Sequence, residues 1–164
     1  MKNKKLKGVT LVETLLYIGL SSIILFVVLS FMLSTQEASS RTSAKTKTHQ
    51  ASQFILEHLH ETFRQVKSID QTSSVFNNDN GKLFVVFSDG MRNYSLTNSQ
   101  ILFDSTPITP KTVNVTKFLL EPIRDKKDTS IIAVKITIHL ISTEDTNVSE
   151  DINFLGVIRW WNWK

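Results

Sequence analysis

The chain has 164 residues, a formal net charge of +4 and no cysteine. This length allows one folded domain and an anchoring segment, but not two full hydrophobic cores. The lack of thiols excludes a disulfide framework and a thiolate zinc site.

The positive charge is concentrated at the N-terminus. Four of the 19 basic residues are lysines within residues 1–8, where there is no acidic residue. From Val9 onward, the remaining basic residues equal the 15 acidic ones. This balance argues against a broad nucleic-acid-binding surface on the folded part. It indicates instead a basic flank for membrane insertion, with the N-terminus in the cytoplasm.

Residues 9–33 form an apolar run in which Glu13 is the only charged residue. A helix of this length spans roughly 37 Å, enough to cross a hydrocarbon core of about 30 Å. A secretory signal peptide would have a shorter apolar stretch, followed by a small-residue cleavage site. The run therefore predicts a single transmembrane helix.

Glu13 is unusual in such a segment. A carboxylate near the centre of a spanning helix costs about 2.5–3.5 kcal/mol on insertion scales, and less near the interface. Taken alone, Glu13 is explained either by hydration at the cytoplasmic headgroups or by a partner group within the membrane.

The sequence from Lys7 to Glu13 resembles the cleavage and methylation motif of type IV prepilins. A short basic leader (residues 1–8) ends in Gly8, four largely apolar residues follow, and then comes the glutamate. The resemblance implies that a prepilin peptidase cleaves between Gly8 and Val9 and that Val9 is then N-methylated. It also implies that Glu13 pairs with the cationic N-terminus of a neighbouring pilin subunit.

The sequence departs from the family pattern at three positions. Val9 replaces the phenylalanine that is common after the scissile glycine, Ser30 stands where many major pilins have a proline, and Ser22 stands where several have a glycine. The loss of proline and glycine puts in doubt the local helix melting inferred for pilins that carry them.

Residues 34–67 contain neither proline nor glycine and are expected to continue the helix as an amphipathic segment. In its second half, apolar residues recur at spacings of three and four. They are Ala51, Phe54, Ile55, Leu59, Phe63 and Val66.

Residues 68–164 are expected to form a β-rich globular domain. Residues 70–81 are dense in turn formers and predict a loop. Six strands are predicted, at 82–88, 91–96, 100–103, 113–120, 131–141 and 152–160, and Asp89-Gly90 is a hairpin signal between the first two. In 131–141, Ile132, Val134, Ile136, Ile138 and Leu140 are expected on the apolar face, opposite Ala133, Lys135, Thr137 and His139. The predicted fold class is α+β, with a long helix packed on one mainly antiparallel sheet.

No catalytic, cofactor-binding or metal site is predicted. His60 and Glu61 begin a pattern like the zinc-binding His-Glu-x-x-His, but Arg64 occupies the position of its second histidine. His58 and His60 lie about 200° apart around a helix, so they cannot face one ion. His139 is expected to be exposed on its strand.

The C-terminus holds all three tryptophans, Trp160, Trp161 and Trp163. One interpretation is that the last strand closes the sheet and its aromatics cover the core. The other is an exposed aromatic and basic surface, formed by Trp161 and Trp163, for a subunit, a glycan or DNA. Nucleic acid is one partner that this second interpretation allows, but the charge balance of the folded part does not favour it.

Two function classes follow. The first is a structural subunit, not an enzyme, of a type IV pilus, a competence pilus or a type II secretion pseudopilus. Its partners would be other pilin or pseudopilin subunits, the prepilin peptidase and the cytoplasmic membrane, and assembly would carry it into a filament. The second is a single-span membrane protein with an extracytoplasmic binding or sensor domain.

Overall fold

A computed structural model describes residues 10–126 and 130–158. They form an α+β fold, in which one long helix, α1 (Leu11–Gln65), precedes a series of antiparallel strands. The strands are β1 (Ser68–Val75), β2 (Lys82–Val86), β3 (Met91–Thr97), β4 (Gln100–Phe103), β5 (Thr106–Pro107), β6 (Val113–Arg124), β7 (Ile131–Ser142) and β8 (Ser149–Val157). The predicted fold class is confirmed, and six of these strands correspond to the predicted ones.

The chain divides into two compact units, Met1–Ser40 and Arg41–Lys164. The described part of the first unit is helical from Leu11 onward. Near its N-terminus, α1 is long and apolar enough to cross a membrane, and no residue of its most apolar window is buried.

In the second unit, α1 buries a stripe of residues against the strands. Its members recur at spacings of three and four: Ala44, Thr48, Ala51, Ser52, Ile55, Leu59, Thr62 and Phe63. Five of the six predicted apolar positions are buried, and the exception is Phe54, which is 53% exposed. The buried stripe also begins earlier than predicted, at Ala44, and includes polar residues that the apolar spacing did not indicate. Because the complete stripe is centred near Ile55, Phe54 points about 100° away from it.

The strands form two sheets rather than the single predicted one. The first has the order β1-β2-β3-β4-β5 and the second the order β6-β7-β8. They meet where the Val115 amide donates to the Ser99 carbonyl at 2.8 Å. The predicted hairpin turn is present between β2 and β3, where the positive φ of Gly90 (+151°) favours glycine.

The predicted loop at 70–81 is wrong over its first half. Strand β1 extends to Val75 and pairs with β2, but its register is interrupted between Asp70 and Val75. The interruption coincides with local hydrogen bonds, since the Asp70 carboxylate accepts from the Thr72 amide at 3.0 Å and from Ser73 Oγ at 2.6 Å. The turn-forming side chains thus distort an edge strand instead of preventing it.

Strand β7 follows the predicted alternation except at its start. Val134, Ile136, Ile138 and Leu140 are completely buried, whereas Ile132 is only half-buried and Ala133 is buried. The register with β6 shifts here, because consecutive β6 residues pair with Ala133 and Ile131. Ile132 is therefore an extra residue without a partner on β6. As a result, Ile131 and Ala133 are the buried residues at the start of β7, instead of Ile132.

Candidate functional site

The candidate site is the N-terminal part of α1, where the sequence places Glu13. Thr10 caps the helix, because its Oγ1 accepts from the Glu13 amide at 3.3 Å and its carbonyl accepts from the Thr14 amide at 3.2 Å. A Thr-x-x-Glu pattern before an apolar run is a recognised signal for a helix start. Residues 7–13, which resemble a processing site, thus also contain a signal for a helix cap. The processing site was predicted from the sequence, but the cap was not.

The Glu13 side chain lies exposed in the first turn of α1. Tyr17, one turn further on, donates from its hydroxyl to Glu13 Oε1 at 3.4 Å. Within residues 10–126 and 130–158, no basic side chain forms an ion pair with Glu13. A negative charge in a first turn is stabilised by the helix dipole, and the carboxylate remains accessible to a cation from another molecule.

The surface around Glu13 is strongly apolar. The large apolar side chains from Leu11 to Leu33 are each at least half exposed, with values between 50% for Leu29 and 78% for Leu11. Ser22 Oγ donates to the Ile18 carbonyl at 2.8 Å, which satisfies this hydroxyl inside the helix. Such a helix needs an apolar environment, which a bilayer or neighbouring helices would supply.

Gly8 and Val9, the predicted cleavage and methylation positions, lie outside the described residues. The same holds for Trp161 and Trp163 of the candidate interaction surface, and for Trp160. These assignments remain predictions.

His58 and His60, two of the histidines of α1, lie against different sheets. The His58 ring packs edge-on against Phe103 at 4.9 Å, and its Nδ1 is 2.9 Å from the Tyr94 hydroxyl. Burial lowers the pKa of His58. His60 instead packs edge-on against Phe154 of β8, at 4.9 Å.

A further feature is the arrangement of the other described His, Asp and Glu side chains. In these parts of the chain, no three His, Asp or Glu side chains are arranged to hold an ion. His139 is not simply exposed, because its Nδ1 is 2.6 Å from Asp151 Oδ1 on the neighbouring strand β8.

An open groove of about 500 Å³ lies beside the helical part of the second unit. It is lined by Phe54 and Ala51 of α1 and by the segment that follows β5, including Ile108 and Pro110. Phe54 is thus an exposed aromatic at a concave surface. The helical spacing assigned it to the core and gave no signal of this position.

Comparisons of this chain with protein-family models, with curated proteins and with solved structures found no match.

Proposed function

We propose that this chain is a type IV pilin-like structural subunit, a minor pilin or pseudopilin, and not an enzyme. It is matured by a prepilin peptidase at Gly8 and Val9, held in the cytoplasmic membrane by one helix, and assembled into a filament. The machine is a type IV pilus, a competence pilus or a type II secretion pseudopilus. The observation that carries the proposal is Glu13 at the start of an exposed apolar helix, at the prepilin offset from Gly8.

The position of Glu13 in the first turn supports this proposal. Cleavage after Gly8 would create a cationic amine on Val9, one residue before the Thr10 cap. A positive charge at a helix N-terminus is disfavoured by the helix dipole. A carboxylate from a neighbouring subunit would offset this cost inside an apolar filament core, where ion pairs set register more than stability.

The exposed apolar surface of α1 supports the same proposal. Before assembly, the bilayer would cover residues 9–33 of the single-pass precursor. In the filament, the helices of neighbouring subunits would cover them instead, and the subunit would then lie outside the cytoplasm.

The second candidate function is a single-span, extracytoplasmic binding or sensor domain that does not assemble. The groove at Phe54 is the observation that favours it, because a concave apolar surface of about 500 Å³ has the size of a ligand pocket. This alternative requires neither cleavage at Gly8 nor a filament partner for Glu13.

Intact-mass measurement tests the proposal. The chain is co-expressed in membranes with a prepilin peptidase, and the expected product lacks residues 1–8 and carries one methyl group on Val9. Gly8→Leu should block processing, because its side chain keeps the protease from the backbone, while membrane insertion continues. An unchanged mass of the wild-type chain would exclude maturation as a prepilin and favour the second candidate.

A further inference from the structure

The second unit has one long sheet edge that no described strand covers. Strand β8 lies at the edge of the second sheet, where it pairs with β7 on one side only. Glu150 and Asp151 lie near the start of this strand, but its remaining segment from Ile152 to Val157 contains neither a charged residue nor a proline. Natural sheets usually protect an edge of this kind with charges, prolines or irregularities, because its free backbone groups can pair with another chain.

The other edges within residues 10–126 and 130–158 are protected. Strand β5 has only two residues, and the register of β1 is interrupted after Asp70. Strand β6 is covered by residues 77–81, because the Asn77 and Gly81 amides donate to the carbonyls of Leu120 and Phe118 at 2.9 Å. The open edge of β8 is therefore a specific feature and not a general property of the sheets.

A cavity of about 250 Å³ follows this open edge. It is lined by Phe154, which is buried on the inner face of β8, and by Leu155 and Val157, which are exposed, so the cavity lies along this strand. Leu155 is 55% exposed and Val157 is 52% exposed. A strand added here would cover both side chains and continue the backbone pairing of the sheet.

The last turns of α1 supply the opposite wall of this cavity through His60, Phe63 and Arg64. Arg64 is exposed and forms no ion pair with any other residue in the described ranges. In a strand added to β8, alternate side chains would point toward the helix and away from it. A side chain of the added strand that points toward the helix would therefore lie beside the positive charge of Arg64. Its side chains on the outer face would contact Leu155 and Val157.

We propose that the edge of β8 binds an extended segment of another protein by strand addition. The segment carries apolar residues at alternate positions, which cover Leu155 and Val157, and an acidic residue on the opposite face, beside Arg64. Main-chain hydrogen bonds supply affinity in this type of recognition, and the alternating side chains supply specificity. The proposal does not depend on the proposed function, because a filament subunit and a sensor domain could both bind a partner here.

A synthetic peptide tests this site on the full-length chain in detergent micelles. The probe is a fluorescent octapeptide that alternates valine and threonine and has one central glutamate. We expect saturable binding by fluorescence anisotropy at concentrations below about 1 mM, the range of weak specific complexes. The same peptide with N-methyl groups on alternate amides, which cannot complete the ladder, should lose at least about tenfold in affinity.

Variants of the chain separate this site from nonspecific association. Leu155→Lys should weaken binding roughly tenfold through the lost apolar contact, whereas Met91→Lys, at an equally exposed position of the first sheet, should not. Arg64→Glu should weaken peptide binding up to about fivefold. A peptide with lysine in place of its glutamate should instead bind the Arg64→Glu variant more tightly than the wild-type chain. Lys45→Glu, an exposed charge elsewhere on α1, is the matched control.

Several outcomes would overturn the proposal. These are no binding of the unmethylated peptide, equal binding of the methylated peptide, or equal loss in the Leu155 and Met91 variants. Binding that occurs only after the chain is truncated behind Ile158 would also overturn it, because this chain would then cover its own edge.

Discussion

The Phe63 ring lies directly over Gly156, so that a Cβ atom added to this glycine would overlap three atoms of the ring. This contact joins the last turns of α1 to strand β8 and places Phe63 5.4 Å from Phe154, between ring centroids. The absence of a side chain at Gly156 therefore sets how closely the helix approaches the second sheet.

We expect Gly156→Ala to destabilise the second unit by about 1–3 kcal/mol, because the methyl group forces the helix and the strand apart. Thermal unfolding of the full chain in micelles, followed by circular dichroism, measures the loss. Phe63→Leu combined with Gly156→Ala should be less destabilised than the sum of the two single variants, since a smaller side chain relieves the overlap. Additive losses would contradict a steric origin.

Tyr94 connects the first sheet to the helix through a buried hydroxyl. It donates to Thr62 Oγ1 at 2.7 Å, and burial raises the pKa of this tyrosine. Tyr94→Phe should lower the unfolding free energy by about 1–3 kcal/mol, because Thr62 and His58 lose their common partner. Tyr17→Phe is the matched control, since Tyr17 is exposed on the apolar helix. Equal melting temperatures of the wild type and Tyr94→Phe would show that water replaces the hydroxyl.

His58 should make stability depend on pH. Burial lowers its pKa in the folded chain, whereas the unfolded chain has an ordinary value of about 6.5. Below about pH 6.5, the unfolded chain therefore binds a proton first, and stability falls with falling pH until the folded pKa is passed. Denaturant unfolding at several pH values between about 5 and 8 should show a weaker pH dependence in His58→Gln than in the wild type. Parallel curves would contradict the role of His58.

Asp70 does not interfere with that measurement. Hydrogen bonds from Ser73 and Thr72 lower its pKa, so its contribution is present above its ordinary value of about 3.9 and is lost only below it.

Glu13 should matter for assembly and not for folding or insertion. Glu13→Ala keeps the Thr10 cap, because the cap uses the main-chain amide of residue 13, and removing an intramembrane charge eases insertion. We expect normal insertion and processing but poor recovery of the variant in sheared filaments when wild-type partners are present. Tyr17→Phe, which removes the hydroxyl that donates to Glu13, is the control for the contact within the chain. Equal recovery of Glu13→Ala and wild type would contradict pairing between subunits.

Local patterns in the sequence determined the elements of this fold. An unbroken apolar run, a stripe at helical spacing and an alternation around Asp89-Gly90 predicted α1 and the β2–β3 hairpin, because each depends on residues close in the chain. The likeness of residues 7–13 to a prepilin motif is likewise local, and this likeness alone makes Glu13 the candidate functional residue.

Only the tertiary structure decided which surfaces these elements cover. Phe54 matched the apolar stripe but is exposed, because the centre of the buried face depends on where both sheets contact the helix. His58 and His60 are two residues apart yet contact different sheets, and β1 forms despite its turn-forming residues because β2 offers an edge. The open edge of β8 beside Arg64 has no counterpart in the sequence pattern, since residues 64 and 155 come together only when the helix packs against the second sheet.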